Sequence, residues 1–108
     1  MSTERPAYYK LDKHHQARPC NATAMREVFE DIGKRRLAVT RVGKTKVSTV
    51  FLCIDHNMSG HGPPLLFETM IFVDGEGGDE ERCSTWDQAV KQHERVVAAL
   101  RKAEGEKQ

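Results

Sequence analysis

The spacing of apolar residues changes along the chain and divides it into predicted helices and strands. One helix face is marked by four apolar residues at i, i+3, i+4 and i+7, which are Met25, Val28, Phe29 and Ile32. This spacing predicts a helix of about three turns. Asn21 or Thr23 would be its N-cap, and Gly33 would end it.

Two runs rich in Val, Thr, Leu and Ile follow, over residues 36–42 and 45–55. Gly43 and Lys44 stand between them and predict a two-residue hairpin turn, because glycine readily adopts positive φ. The second run is apolar on both faces, and residues 65–73 repeat that pattern. We therefore expect a three-stranded antiparallel meander whose central strand is covered on both sides.

Residues 74–82 combine glycines with acidic residues and predict a solvated loop. Thr85 and Gln88 then fit a capping box, which predicts that a helix begins here. The apolar stripe of this helix contains Trp86, Ala89, Val90, His93, Val96, Val97 and Leu100. The regular spacing of the stripe predicts a strongly amphipathic helix.

Length and composition allow one small domain. The chain has 108 residues, of which 38% are hydrophobic and 31% are charged, so it can bury a modest core. We expect an N-terminal arm over residues 1–20, a single α+β domain over residues 21–103 and a frayed tail over residues 104–108. One helix on each face would cover the sheet. If both helices pack on one face, a homodimer would be the simplest cover for the other.

The sequence has no mark of a membrane or secreted protein. No run approaches the ~20 apolar residues of a transmembrane helix, and the first residues do not resemble a signal peptide. Cys20, Cys53 and Cys83 are odd in number and widely spaced, which predicts free thiols rather than a disulfide framework or a zinc site. These features predict a cytoplasmic protein with no membrane partner.

The loop between the second and third predicted strands holds the candidate chemistry. Asp55, His56 and His61 could bind a metal, or Asp55 could orient His56 as a proton-transfer base. Alternatively, Asp55 and Asn57 cap backbone amides in a purely structural loop. We expect no metal, because the ligands are too few for a divalent ion. We also expect no cofactor, and no catalytic residue, because the sequence shows no nucleophile-base pair. Asp55, His56, Asn57 and His61 are therefore candidates for contact with a ligand or a partner.

Glu68 interrupts an apolar strand, where an unpaired carboxylate would be costly. The register expected from the strand ends places Glu68 across from Leu52. Its partner would be an arginine such as Arg26 or Arg95, in a structural ion pair, or the backbone of the loop. In the alternative interpretation, Glu68 faces a ligand or a partner protein.

Charge is segregated along the chain. Residues 32–54 contain basic residues and no acid, whereas residues 74–81 gather acids. A basic hairpin can bind phosphates or an acidic protein groove, which makes Arg35, Arg36 and Lys44 candidate contacts. Alternatively, these charges guard an outer strand against aggregation. Because no aromatic residue stands among them in the sequence, a nucleic-acid partner has weak support.

Aromatic residues and histidines elsewhere are assigned simpler roles. Trp86 and His93 lie on the apolar stripe of the last helix and are interpreted as core residues. The histidines at 14–15 are interpreted as exposed polar residues. The tyrosines at 8–9 would anchor the arm to the domain or to a second subunit.

Several segments of the chain resemble a known family. They are VSTVFLCIDHN (residues 47–57), GPPLLFETMIF (residues 62–72) and ERCSTWDQAVKQHE (residues 81–94). Together they resemble a widespread family of small phage and prophage proteins, and the similarity extends to residues 9–12 and to the Phe-Glu end of the first helix. The resemblance implies a phage-encoded accessory protein inside a bacterium, but the family has no assigned biochemical activity.

The resemblance can be placed residue by residue. It is carried by Asp55, His56, Gly62, Pro63, Pro64, Phe67, Glu68, Thr69, Met70, Trp86 and His93. The chain departs from the family pattern at Cys53, where a glycine is expected, and at His61, which is an added histidine. The second departure weakens any metal site that relies on His61.

These observations leave a main hypothesis and two alternatives. The main hypothesis is a non-enzymatic protein that docks onto a host or phage protein through the loop face or the basic hairpin, and inhibits it. The first alternative is capture of a small ligand or nucleotide by residues 55–64 with Glu68, across a dimer interface. The second is a small hydrolase or nuclease based on His56.

Overall fold

The computed structural model describes residues 5–106 and shows an α+β fold. The elements in chain order are β1 (Tyr9–Leu11), β2 (Ala17–Pro19), α1 (Ala22–Phe29), α2 (Ile32–Arg35), β3 (Arg36–Val42), β4 (Thr45–Phe51), β5 (Phe67–Val73), β6 (Glu76–Cys83) and α3 (Trp86–Glu106). The strands β1 and β2 form a small sheet of their own, and β3-β4-β5-β6 form an antiparallel meander in chain order. The predicted fold class is confirmed, and the meander has one strand more than expected.

The main core lies between α3 and one face of the four-stranded sheet. Side chains alternate along a strand, and on β4 Val47, Thr49 and Phe51 are fully buried on this face. The buried residues of α3 are Ala89, His93 and Val97. The helix therefore packs along the sheet with its predicted apolar stripe inward.

The first helical segment is divided in two. Asn21 caps α1 as predicted, because its side chain accepts the N–H of Ala24 at 2.8 Å. The prediction that the same helix continues to Ile32 is wrong. Asp31 accepts the N–H of Gly33 at 3.0 Å, and this new cap starts α2 instead of letting α1 continue.

The capping box of α3 is confirmed. Thr85 Oγ1 accepts the N–H of Gln88 at 3.1 Å, and the side chain of Gln88 accepts the N–H groups of Ser84 and Thr85. The helix includes the first part of the predicted tail, as far as Glu106, and residues 107–108 lie outside the described residues. Within 5–106, no helix is both long and apolar enough to cross a lipid bilayer.

The N-terminal segment over residues 5–20 is a hairpin that docks onto the domain, and Tyr9 anchors it as predicted. Tyr9 is only 7% exposed. Its N–H donates to the carbonyl of Cys53 at 2.8 Å, and the N–H of Asp55 donates to Ala7 at 3.0 Å. Burial of the tyrosine ring and these backbone hydrogen bonds hold the segment in place. Residues 1–4 lie outside the described residues.

The prediction of a loop over residues 74–82 is also wrong. Asp74 and Gly75 form a tight turn with φ of 52° and 83°, and β6 then pairs along β5. Nearly every residue of β6 is exposed. An edge strand of this kind is held by its backbone hydrogen bonds and needs no apolar side chain, while its carboxylates discourage edge-to-edge association.

The predicted register of the central strands differs from the structure by two residues. Glu68 lies opposite Val50 rather than opposite Leu52. The prediction extended the second strand to Asp55, but β4 ends at Phe51 and Cys53 adopts a φ of 68°. This left-handed residue turns the chain toward the N-terminal hairpin and ends the regular pairing.

The face of the sheet that points away from α3 is open to solvent. We call it the open sheet face, and its central residues are Val39, Ser48, Val50, Met70 and Phe72. Val39 is 41% exposed. The prediction that β4 is covered on both faces is wrong, because α1 packs beside β1 and the core at the end of the sheet instead.

Candidate functional site

Asp55 closes the base of the predicted functional loop. One carboxylate oxygen accepts the N–H groups of Asn57 at 2.8 Å and Leu65 at 3.0 Å. The other oxygen forms a salt bridge of 3.0 Å with Arg5, and the Asp55 side chain is only 6% exposed. These contacts are structural, and the side chain of His56 is not among the described partners of this carboxylate.

The side chain of Asn57 forms hydrogen bonds across the rest of the loop. Its Nδ2 donates to the carbonyls of His61 at 2.7 Å and Pro63 at 3.0 Å. Its Oδ1 accepts the N–H of Ser59 at 3.1 Å and the hydroxyl of the same residue at 2.6 Å. The polar atoms at the centre of the loop therefore satisfy one another, as in an Asx-turn.

The two histidines of the loop differ in their surroundings. His56 is half-buried, and its N–H donates to the carbonyl of Leu65 at 3.0 Å. The side chain of His61 is exposed. Among residues 5–106, no three His, Cys, Asp or Glu side chains lie close enough together to hold a metal ion. The Asp55 carboxylate, which was predicted to orient His56, is bonded to Arg5 and to backbone N–H groups instead.

Glu68 forms an ion pair, but with a partner that the sequence did not indicate. Arg82 Nε lies 3.0 Å from Glu68 Oε2, and the Glu68 side chain is 13% exposed. The prediction of Arg26 or Arg95 is wrong, because β6 was not expected and it places Arg82 directly opposite Glu68. Arg95 instead pairs with Glu81.

The basic candidates do not form one cluster. Arg35 donates from Nε to the carbonyl of Phe51 at 2.9 Å, and its guanidinium lies 4.4 Å from the centre of the Phe29 ring. It therefore fastens α2 to the sheet. Arg36 and Lys44 are exposed at opposite ends of the β3–β4 hairpin.

Segments that are distant in sequence meet at a cleft of about 340 Å³. Its walls are residues 15–17 of the N-terminal hairpin, Pro63 and Pro64 of the loop, and residues 84–87 at the start of α3. Tyr9 also contributes to the lining. We call this the motif cleft, because Tyr9, the two prolines and residues 84–87 belong to the sequence motifs described above.

An aromatic stack forms one wall of the motif cleft. The rings of His15 and Trp86 lie 3.8 Å apart and are nearly parallel, at 9°. The Trp86 ring also meets the ring of Phe67 edge-on, at 6.3 Å. Trp86 is therefore partly a core residue, as predicted, and partly a surface for His15. The contact of His15 was missed, since no local sequence pattern connects it with Trp86.

The turn that presents His15 is fixed by Asp12. Its carboxylate accepts the N–H groups of His14 at 2.8 Å and Gln16 at 2.9 Å, and it pairs with Arg18 at 3.0 Å. The hydrogen bond from Gln16 and then the one from Arg18 lower the pKa of Asp12 to about 2. His15 itself has a φ of 62°. The bonds of Asp12 to His14, Gln16 and Arg18 therefore brace the hairpin tip.

The lining of the motif cleft suits a peptide better than a small polar substrate. The stacked His15–Trp86 pair and the two prolines offer apolar surface, and Asp87 adds a negative charge at the rim. Within the described chain Asp87 forms no salt bridge. Grooves lined by aromatic side chains bind extended peptide segments in several recognition modules.

His93 lies in the core, as predicted, within a chain of polar side chains. Its Nδ1 lies 2.8 Å from the hydroxyl of Thr49 and its Nε2 lies 2.9 Å from that of Thr40. Thr49 in turn lies 2.7 Å from the hydroxyl of Thr69. Burial lowers the pKa of His93. The imidazole is therefore neutral near pH 7 and links α3 to β3, β4 and β5.

No protein-family model, no curated protein and no solved structure matches the chain. The resemblance to phage proteins consequently stays a prediction. We therefore infer the function from two of the accessible surfaces, the motif cleft and the open sheet face.

Proposed function

We propose that this protein is a phage-encoded, non-enzymatic binding protein that acts in the cytoplasm of a bacterial host. It docks onto a host or phage protein through the motif cleft and blocks the partner's function. One observation carries the proposal: the hairpin tip at His15, the proline pair of the loop and the start of α3 converge on a single cleft. Well-positioned loops on a rigid scaffold are common binding surfaces.

The chemistry of the cleft indicates what kind of segment the partner presents. An apolar side chain would lie against Trp86 and the neighbouring Pro64, and a basic residue would meet Asp87. Because Asp12 holds the hairpin tip and Asp55 holds the loop base, both walls are positioned before the partner arrives. Preorganisation of this kind reduces the entropy lost on binding.

The hydrogen bonds inside the loop favour this proposal over capture of a small ligand by residues 55–64. Asp55 and Asn57 already use their side-chain oxygens on neighbouring N–H groups. A ligand would have to break those bonds to reach the same atoms, and a buried acceptor left without its partner is costly.

The proposal is tested by capture of partners from lysates of infected host cells with immobilised protein. The cleft variant combines His15→Asn with Asp87→Lys, because asparagine tolerates the positive φ of residue 15 but has no ring. We expect wild type to retain a specific protein that the variant retains at least tenfold less, as loss of an aromatic contact and a charge pair implies.

The matched control combines Arg36→Glu with Lys44→Glu at the β3–β4 hairpin, where both side chains are exposed. This control should capture the same protein as wild type. If the control loses the partner and the cleft variant keeps it, the basic hairpin is the docking surface. Recovery of no specific protein by any form also contradicts the proposal.

A further inference from the structure

Basic residues surround an aromatic ring at one corner of the open sheet face. Arg41, Lys44 and Lys46 line a cavity of about 470 Å³ together with Phe72. The remaining lining residues are Asp74 and Gly75. We call this surface the basic corner, and it lies where the β3–β4 and β5–β6 turns meet.

The aromatic ring reaches the basic corner through strand pairing. Phe72 of β5 lies directly opposite Lys46 of β4, and the Lys46 ammonium lies 4.6 Å from the centre of the ring. Stacking of bases was not expected from the sequence, because no aromatic residue stands among the basic residues of the hairpin. The structure corrects that argument, since the neighbouring strand supplies the ring.

The cations of the basic corner are separate from the salt bridges of the described residues. Salt bridges elsewhere in residues 5–106 use Arg5, Arg18, Arg82 and Arg95. Asp74 lines the same cavity and Glu104 approaches the adjoining turn at Gly43, so three cations stand near two carboxylates and the corner keeps a net positive charge. Such a surface attracts a polyanion.

We propose that the basic corner binds single-stranded nucleic acid. Phosphates lie against Arg41 and Lys44, and a base stacks on Phe72 while Lys46 moves from the ring to a phosphate. Open antiparallel sheets with an aromatic residue on a central strand are a known platform for unpaired bases. An acidic protein segment would use the charges but leave the ring without a stacking partner.

The open sheet face extends this site beyond one nucleotide. From the corner it continues over Ser48 and Val39 toward Arg36 at the far end of β3. Glu68 and Glu80 lie on the β5–β6 side of the same face, where both pair with Arg82. Arg36 lies about 17 Å along the strand from Arg41, at ~3.4 Å per residue. A polymer can reach both ends of this strip, whereas a single nucleotide cannot. The proposal therefore commits to an oligonucleotide rather than to a free nucleotide.

Fluorescence anisotropy with a short labelled single-stranded oligonucleotide tests the proposal. Arg41→Gln with Lys44→Gln removes two phosphate contacts, so the slope of log K against log salt concentration should shrink by about 1.4. The matched control, Lys10→Gln with Lys91→Gln, removes two exposed charges elsewhere and should leave the slope within experimental error. Thermal unfolding of each variant confirms that it is folded.

A second measurement tests the contribution of the Phe72 ring. An oligonucleotide that contains 2-aminopurine should lose fluorescence on binding wild type, because a stacked base is quenched. With Phe72→Leu, which keeps an apolar residue on the strand, the quenching should disappear and affinity should fall roughly tenfold. If this variant does not fold, the glutamine variants still decide the proposal.

Other results would overturn the proposal that the basic corner binds single-stranded nucleic acid. Binding that is absent at low salt, or equal in the glutamine variant and its control, removes the site. If a mononucleotide binds as tightly as the oligonucleotide, the basic corner binds free nucleotides. If a poly-glutamate peptide displaces the labelled oligonucleotide at a lower concentration than unlabelled oligonucleotide does, the corner binds an acidic protein. The proposed docking at the motif cleft involves other residues, so either proposal can fail alone.

Discussion

Cys53 is a residue at which the backbone and the side chain have different requirements. Its φ of 68° lies in the left-handed region, which favours glycine. Its side chain is fully buried in the main core, and burial raises the pKa of the thiol. The resemblance to phage proteins predicts a glycine here. The structure explains why a glycine would fit the chain direction while cysteine fills the core.

This conflict predicts an unusual order of stability for two substitutions. Cys53→Gly and Cys53→Ala both remove the sulfur atom, but only glycine relieves the left-handed backbone, which costs about 1 kcal/mol or more in other residues. The glycine variant should therefore have the larger free energy of unfolding in denaturant titrations. At Val47, a buried residue of β4, the order should be reversed, since glycine weakens a regular strand. The same order at both positions would refute the explanation.

His93 determines how the core responds to acid. Its neutral ring links Thr40 and Thr49, and burial of the ring opposes protonation. The nearby Glu94 raises the pKa again, but burial dominates and the net shift is downward. The unfolded chain, in contrast, takes up a proton at the ordinary pKa of ~6.5.

The sign of the pH dependence follows from this difference. Below pH ~6.5 the unfolded state binds a proton that the folded state does not, so the free energy of unfolding decreases as the pH falls. The loss is at most ~1.4 kcal/mol per pH unit from this group. His93→Gln should be less stable than wild type at neutral pH and should lose less stability on acidification. Parallel pH profiles for the two proteins, from urea unfolding, would exclude His93 as the source.

At the scale of elements, the sequence predicted the helix caps and the turn that depend only on neighbouring residues. The caps at Asn21 and Thr85 and the turn at Gly43 were each predicted from a few adjacent residues, and each is present. The strand β6 was missed because a strand with exposed side chains has no hydrophobic period. Its formation depends on the free edge of β5, which cannot be read from residues 76–83 themselves.

Elements also determine which candidate residues come together. The expected register failed at Cys53, where the turn in the backbone is a property of the folded chain and not of an apolar pattern. Strand pairing brings Phe72 to Lys46 and Arg82 to Glu68. Alternation within residues 65–73 could have placed Phe72 and Glu68 on one face, but the neighbours on that face were unknown without the strand order.

At the scale of the whole molecule, α3 runs between the two proposed binding surfaces. Trp86 at its start borders the motif cleft, and Glu104 near its end approaches Gly43 in the turn beside the basic corner. These two helix residues lie about 27 Å apart at ~1.5 Å per residue. The protein is elongated, with extents of 60 × 28 × 26 Å. Two ligands could therefore be held at opposite ends of one rigid sheet and helix.

The central claim is that the motif cleft receives a partner protein, and photo-crosslinking in infected host cells tests it most directly. A photoreactive residue in place of Gln16 would lie in the cleft wall, and one in place of Lys91 would lie on the exposed side of α3. The account predicts one covalent protein adduct from position 16 and none from position 91. An adduct from position 91 alone, or no adduct from position 16, would contradict it.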